Sequence, residues 1–193
     1  MLKRLTFIFL ALVTLSGCGV NDVPRLDEQV KAAWSQVQNQ YQRRADLIPN
    51  LVETVKGYAA HEHDTLTAVI EARAKATSTT LPANITEDPE AFKKYQEAQA
   101  NLSGALGRLM VVAEQYPNLK ADQVFISLQS QLEGTENRIA VARKDYIDAV
   151  QRYNTLLRTV PSRWIAAVLY PDAKVKETFT STEAAQQAPS VKF

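Results

Sequence analysis

The most overt ligand chemistry in the chain is the run His61, Glu62, His63 and Asp64. A zinc-protease helix needs two histidines four residues apart with a glutamate after the first, so that both imidazoles share one face. Here the histidines are two apart, which sends them to different faces of a helix. They read as surface histidines near a helix end. With one cysteine and two histidines in the chain, no metal and no cofactor is expected. A second set, Arg44, Glu114, Glu136 and Arg143, falls on or near the inner faces of expected helices. Charges removed from water need partners, because their desolvation is costly. The set is therefore expected to form an interhelical polar network that fixes helix register, with a ligand cleft as the alternative. Acid–base catalysis would need carboxylates positioned in a pocket beside a nucleophile. Helical spacing supplies neither, so no catalytic residue is assigned.

The remaining chemistry is covalent. The chain opens MLKRLTFIFLALVTLSGC, with Lys3 and Arg4 before a short apolar run from Leu5 to Leu15. That run is too short to span a hydrocarbon core, which takes about 20 residues, and the pattern is that of a signal peptide. Leu15, Ser16, Gly17 and Cys18 resemble the lipobox of bacterial lipoproteins. The resemblance implies diacylglycerol transfer to Cys18, cleavage before it and acylation of the new amine. Two or more acyl chains anchor stably where one does not. Membrane lipid, through acylated Cys18, is thus an expected partner. Gly19 rather than Asp follows the lipidated position, which favours the periplasmic face of the outer membrane in a host with two membranes.

Losing Lys3 and Arg4 of the 22 basic residues leaves 20 against 21 acidic ones in the exported part. A near-neutral surface gives no field for nucleic acid. The 193 residues suit one domain with its own core.

The elements that must position these groups are helices. Leu26, Val30, Ala33, Val37, Tyr41, Arg44, Ile48, Leu51, Val55, Tyr58, Glu62, Leu66 and Val69 follow in steps of three or four, the mark of one buried helical face. Pro49 lacks the amide that would bond to Ala45, yet the stripe crosses it in phase. One long kinked helix over about 26–76 is therefore favoured over two helices separated by a turn at Pro49. Residues 77–87 read as a loop, and Asp88 with Pro89 starts a second helix. Its stripe is Phe92, Tyr95, Gln99, Leu102, Leu106, Leu109, Ala113 and Tyr116, and Gly104 and Gly107 inside it cost helix propensity, more acceptably if one of them permits a close helix crossing. After the turn at Tyr116, Pro117 and Asn118 a third helix runs from about Asp122 to Val160. Pro161 ends it, and Ser162 opens a short helix carrying Trp164, Ile165, Val168 and Leu169.

These lengths raise a geometric question. A second helix of about 27 residues returns only about 40 Å, leaving the start of a continuous first helix less covered. Leu26, Val30, Ala33 and Val37 are therefore a candidate interaction surface, and Trp164, in an apolar patch with Ile165, Val168 and Leu169, is a further candidate that either caps the bundle or docks onto a membrane or partner.

Three long stretches carry a family resemblance: WSQVQNQYQRRADLIPNLVETVKGYAAHE at 34–62, LSGALGRLMVVAEQYPNLKADQVFISLQSQLEGTENRIAVARKDY at 102–146, and VQRYNTLLRTVPS at 150–162. The chain resembles the LemA family over about 26–179. The resemblance implies an all-α fold, an elongated antiparallel helical bundle with long helices, outside the cytoplasmic membrane or at a membrane surface. It implies no established catalytic activity. Relatives look anchored by a transmembrane helix, whereas this chain has a lipobox, and Ile147 stands where the family more often has Asn. The expected organisation is a signal peptide at 1–17, a lipidated tether at 18–25, the helical domain at 26–179 and a flexible tail at 180–193. The leading functional expectation is a membrane-tethered scaffold or interaction module of the cell envelope, with an envelope protein or a second copy as partner. A ligand-binding protein or enzyme with an interhelical polar site, and a purely structural spacer, are the alternatives.

Overall fold

A computed structural model describes residues 20–78, 82 and 84–180. The expected signal peptide, the expected lipobox with Cys18, and 181–193 of the expected tail lie outside the described residues. The fold is all-α: α1 (Asp22–Tyr58), α2 (His63–Ser78), a 3-10 turn (Ile85–Glu87), α3 (Pro89–Ala113), α4 (Pro117–Lys120), α5 (Gln123–Arg158) and α6 (Ser162–Leu169). No strand occurs among the described residues.

The 37 residues of α1 make a rod about 55 Å long, and α5 lies antiparallel along it. The pairing reads from cross-helix contacts: Trp34 meets Tyr146, Arg44 meets Glu136, and Tyr58 meets Asp122. Helix α3 runs parallel to α1, with Phe92 against Trp34 and Ser103 against Arg44. Helix α2 folds back between them, reaching Ala45 of α1 through Arg73 and Gln99 of α3 through Ala76.

Helix starts follow local chemistry. Asp88 caps α3 by accepting from the amides of Glu90 and Ala91, each at 3.0 Å, with Pro89 at the first position. Asp122 caps α5 by accepting from the amide of Phe125 at 2.9 Å. The same carboxylate accepts from the Tyr58 hydroxyl, which ties the end of α1 to the start of α5.

Two cores fill the bundle. An aliphatic core packs Ile48, Leu51, Val55, Leu66, Leu102 and Leu109 with neighbours from α5. An aromatic core joins Trp34, Phe92, Tyr95, Tyr146 and Phe179, whose ring centroids lie 5.1–6.2 Å apart. Ring pairs at such distances add about 0.5–1.5 kcal/mol each beyond area burial.

The continuous helix over 26–76 is corrected. Helix α1 passes through Pro49 without ending, but the chain turns at 59–62 and reverses. The stripe keeps its phase because Val55, Ala59, Leu66 and Val69, on both sides of the turn, face one aliphatic core. The amide missing at Pro49 is replaced from outside the helix: Arg73 donates through Nε to the carbonyl of Ala45 at 2.8 Å.

The expected surface on the first third of α1 is also corrected. Leu26, Val30 and Val37 are buried, and Ala33 is half-buried against the aromatic core. Helix α5 returns along the whole of α1, and a segment the sequence left without structure covers the rest. Residues 173–180, outside any helix, run as a strap over α1, α3 and α5. Asn154 clamps the strap by donating to the Lys176 carbonyl and accepting from its amide, each at 2.9 Å. The Tyr146 hydroxyl donates to the Glu177 carbonyl at 2.7 Å, and the Glu177 amide donates to the Thr86 carbonyl. Phe179 then closes the aromatic core. The glycine expectation fails as well: a Cβ at Gly107 would meet nothing within 4 Å, and one at Gly104 only the tip of Arg108.

Candidate functional site

The polar layer lies between the two cores. Arg44 of α1 is 1% exposed. It donates through Nη1 to Glu136 at 2.9 Å and to the Ser103 hydroxyl at 2.7 Å. Through Nη2 it donates to the side-chain carbonyl of Gln99 at 2.6 Å and to its backbone carbonyl at 3.3 Å. Its guanidinium also sits 5.0 Å from the Tyr41 ring centroid. Only Nε lacks a partner. Gln99 in turn donates to the Ala76 carbonyl near the end of α2 at 3.3 Å. Three helices thus meet on Arg44, and Gln99 adds the end of a fourth.

Beside this layer a cleft of about 330 Å³ opens between α3 and α5. Tyr41, Arg44, Gln96, Ser103, Glu136 and Arg143 line it, and Thr180 forms part of its rim. The guanidinium of Arg143 stacks 4.3 Å from the Phe179 ring centroid. A smaller cleft of about 160 Å³, between α1 and α3 beyond α2, shares Tyr41 and Gln99 with the first. Burial pushes the Tyr41 phenol above its ordinary range, more than Arg143 and Arg44 pull it down, so it is neutral at physiological pH. Ser103 donates its proton to the Gln99 carbonyl while accepting from Arg44. That hydroxyl therefore faces no base that could activate it.

Of the four network candidates, the structure brings together Arg44, Glu136 and Arg143. Glu114 is elsewhere: it follows the end of α3, is exposed, and pairs with Lys120 across the turn. Gln99, Ser103 and Tyr41 were not singled out from sequence as polar partners. Gln99 was the visible signal, an amide inside the apolar stripe of α3. A second buried cation, Lys176, was missed altogether. Its Nζ lies 2.8 Å from Asp27 and 2.7 Å from Glu87, and 5.4 Å from the Tyr153 ring centroid. Burial pulls its ammonium down, but the bonds to Asp27 and Glu87 outweigh burial and hold it above the usual lysine range.

The histidine run sits at the turn between α1 and α2. Glu62 accepts from the Tyr116 hydroxyl at 2.8 Å, and His63 Nδ1 is 3.4 Å from the Thr67 hydroxyl. Tyr116 therefore latches a corner of the bundle. Among the described residues no group of three or more His, Cys, Asp or Glu side chains could hold a metal ion.

At the opposite end, α6 buries Ala166 in the same core as Val23 at the start of α1. It leaves Trp164 65% and Val168 78% exposed, with Val160 and Leu169 also exposed. Arg158 and Arg163 are exposed beside them. Among the described residues no helix is long and apolar enough to cross a membrane.

An elongated all-α bundle with a buried arginine layer and an apolar end-helix is the class of protein defined here. The chain belongs to the LemA family, whose model matches residues 33–193. It is similar to magnetosome protein MamQ 2 of Paramagnetospirillum magneticum, 27% identical over 164 residues, covering 77% of this chain and 60% of that protein. It is likewise similar to magnetosome protein MamQ of Magnetospirillum gryphiswaldense, 26% identical over 157 residues, covering 73% and 58%. Protein LemA of Metamycoplasma hominis is 23% identical over 149 residues, covering 77% and 64%. The chain thus spans about three-fifths of the length of these relatives.

Proposed function

We propose that this protein is a membrane-tethered helical interaction module of the bacterial cell envelope, held by lipid on Cys18. The observation that carries the reading is the position of the exposed α6 face, at the same end of the bundle as the start of α1. Cys18 precedes Asp22 by four residues, a reach of about 14 Å when extended. A lipid on Cys18 would therefore bring Trp164, Val168 and Leu169 to the bilayer surface. Tryptophan favours the headgroup region, and Arg158 and Arg163 beside it suit anionic headgroups. In a host with two membranes, Gly19 favours the periplasmic face of the outer one. The bundle would then project its far end outward, where Val111, Val124 and Ile126 are exposed and available to an envelope protein or a second copy.

In-cell photo-crosslinking tests this, with the reactive side chain placed at 164, 168 or 124. Palmitate should label the wild-type chain and not Cys18→Ser, and lipid should be reached from 164 and 168. Position 124 should yield a reproducible protein product. An unlabelled chain that fractionates away from membranes with Cys18 intact would sink the tether. A correctly anchored chain with no protein product from any face would sink the interaction role.

A further inference from the structure

We propose that the cleft between α3 and α5 is a binding site for a small carboxylate-bearing molecule, with Arg143 as the primary anion receptor. Three observations on the cleft point this way. First, Arg143 presents a planar fork of donors on its wall but makes no ion pair or hydrogen bond to a described residue, only the stack on Phe179. A guanidinium fixed against an aromatic ring, with no partner at its edge among the described residues, is preorganised for bidentate carboxylate binding. Second, Tyr41 is 6% exposed, yet its hydroxyl makes no hydrogen bond to a described residue. Among the described residues the buried side-chain atoms without a partner are on Asp27, Arg44 and Thr178, so the Tyr41 hydroxyl meets open space at the cleft and can donate to what enters it. Third, beside the apolar Ala100 and Ile139 the other polar groups of the lining are held in place: the floor is Arg44, already bonded to Glu136, Ser103 and Gln99, and Gln96 is held to the Thr180 carbonyl at 2.7 Å.

Charge and size define the ligand. Arg44 and Arg143 against Glu136 leave one excess positive charge on the lining. Glu136 and Arg143 lie seven residues apart on α5, about 10.5 Å along its axis. An anion at Arg143 therefore need not crowd the Glu136 carboxylate. The volume of about 330 Å³ is at the small end of ligand pockets, which suits a molecule of amino-acid to dipeptide size. The carboxylate would sit on Arg143, with Tyr41 donating to a second oxygen of the ligand.

The test is NMR titration of the full chain in detergent micelles with N-acetylglycine, and with N-acetylglycinamide as its uncharged isostere. The acid should shift the Arg143 Nε–Hε resonance and amides around Tyr41 and Ser103, saturating in the millimolar range or tighter. The amide should bind at least tenfold more weakly. Arg143→Gln should weaken the acid at least tenfold. Tyr41→Phe, which removes only the hydroxyl, should weaken it about threefold to tenfold while leaving the spectrum otherwise folded. Equal affinities for acid and amide, or shifts confined to residues outside the cleft, would overturn the assignment. So would saturable acid binding seen only after removal of 181–193, because the chain's own carboxylates would then be the occupant.

Discussion

The sharpest test of the packing logic concerns a backbone carbonyl. Pro49 sits inside α1 and has no amide to give to Ala45. Arg73, from the neighbouring helix, donates to that carbonyl at 2.8 Å. If Arg73 stands in for the missing amide, its contribution must depend on Pro49. Arg73→Met keeps most of the aliphatic stem and removes the donor. A hydrogen bond from a charged donor contributes about 1.5–3 kcal/mol, and an unpaired buried carbonyl costs a similar amount. The wild-type background should therefore lose about 1.5–3 kcal/mol, or roughly 3–12 °C in Tm for a chain of this size. Pro49→Ala restores an amide that can close the helical bond to Ala45. In that background the same Arg73→Met change should cost about 0.5 kcal/mol or less. The double-mutant coupling, read from urea titrations followed by helical circular dichroism, is thus expected at about 1–2.5 kcal/mol. An equal cost of Arg73→Met in both backgrounds would refute the substitution of side chain for amide, whatever the absolute stabilities.

Other outcomes follow from single features. Gly107 lies in mid-α3 with open space where a Cβ would go, so Gly107→Ala should raise stability by about 0.5–1 kcal/mol in urea. Phe179→Ala removes the ring that closes the aromatic core and should cost about 3 kcal/mol; unchanged near-ultraviolet circular dichroism from Trp34 would contradict the strap. Burial raises the Asp27 carboxyl, but hydrogen bonds from Lys176 and Lys31 outweigh it and hold it below the usual range. Its contribution should therefore be complete above its unfolded pKa, about 4, and be lost as pH falls through the lower folded value. Asp27→Asn should be less stable than wild type at pH 7 by about 1.5–3 kcal/mol, and the gap in urea midpoints should close on acidification. A gap independent of pH would count against the ion pair with Lys176.

How much of this was legible depends on what the signal was. The helices announce themselves, because a stripe in steps of three and four persists for dozens of residues and Asp88–Pro89 has a definite local chemistry. The turn at 59–62 is illegible for the same reason: the stripe is read from side chains that face a core, and Val55 and Leu66 face the same one across a reversal. Pairing Arg44 with Glu136 was within reach, since both charges sit on inner faces. Placing Glu114 there was not excluded by periodicity, because its neighbour Ala113 is buried and only the end of α3 turns Glu114 outward. The strap was invisible. Its eight residues have no helical period, and Asn154, Tyr146 and Asp27 hold it by contacts more than 20 residues away in sequence.

The position of the arginine layer has a structural cause. In one half of the molecule α1, α3 and α5 pack with α2, and in the other half they pack with the strap. Helix α2 ends at Ser78, and the strap meets Gln96 of α3 at Thr180. Ala76 and Thr180 fall at the level of Arg44 and Gln99, on different sides of the bundle. Where packing partners change, apolar side chains have nothing continuous to close against, and the end of α2 presents carbonyls such as that of Ala76. Gln99 takes that carbonyl, and Arg44 holds Gln99. A buried ion pair is weak evidence for stability, because desolvation offsets the attraction. Here it has another role, for it braces three helices around two clefts that an apolar layer would collapse to fill. The arginine layer therefore lies where the bundle changes from packing on a helix to packing on the strap.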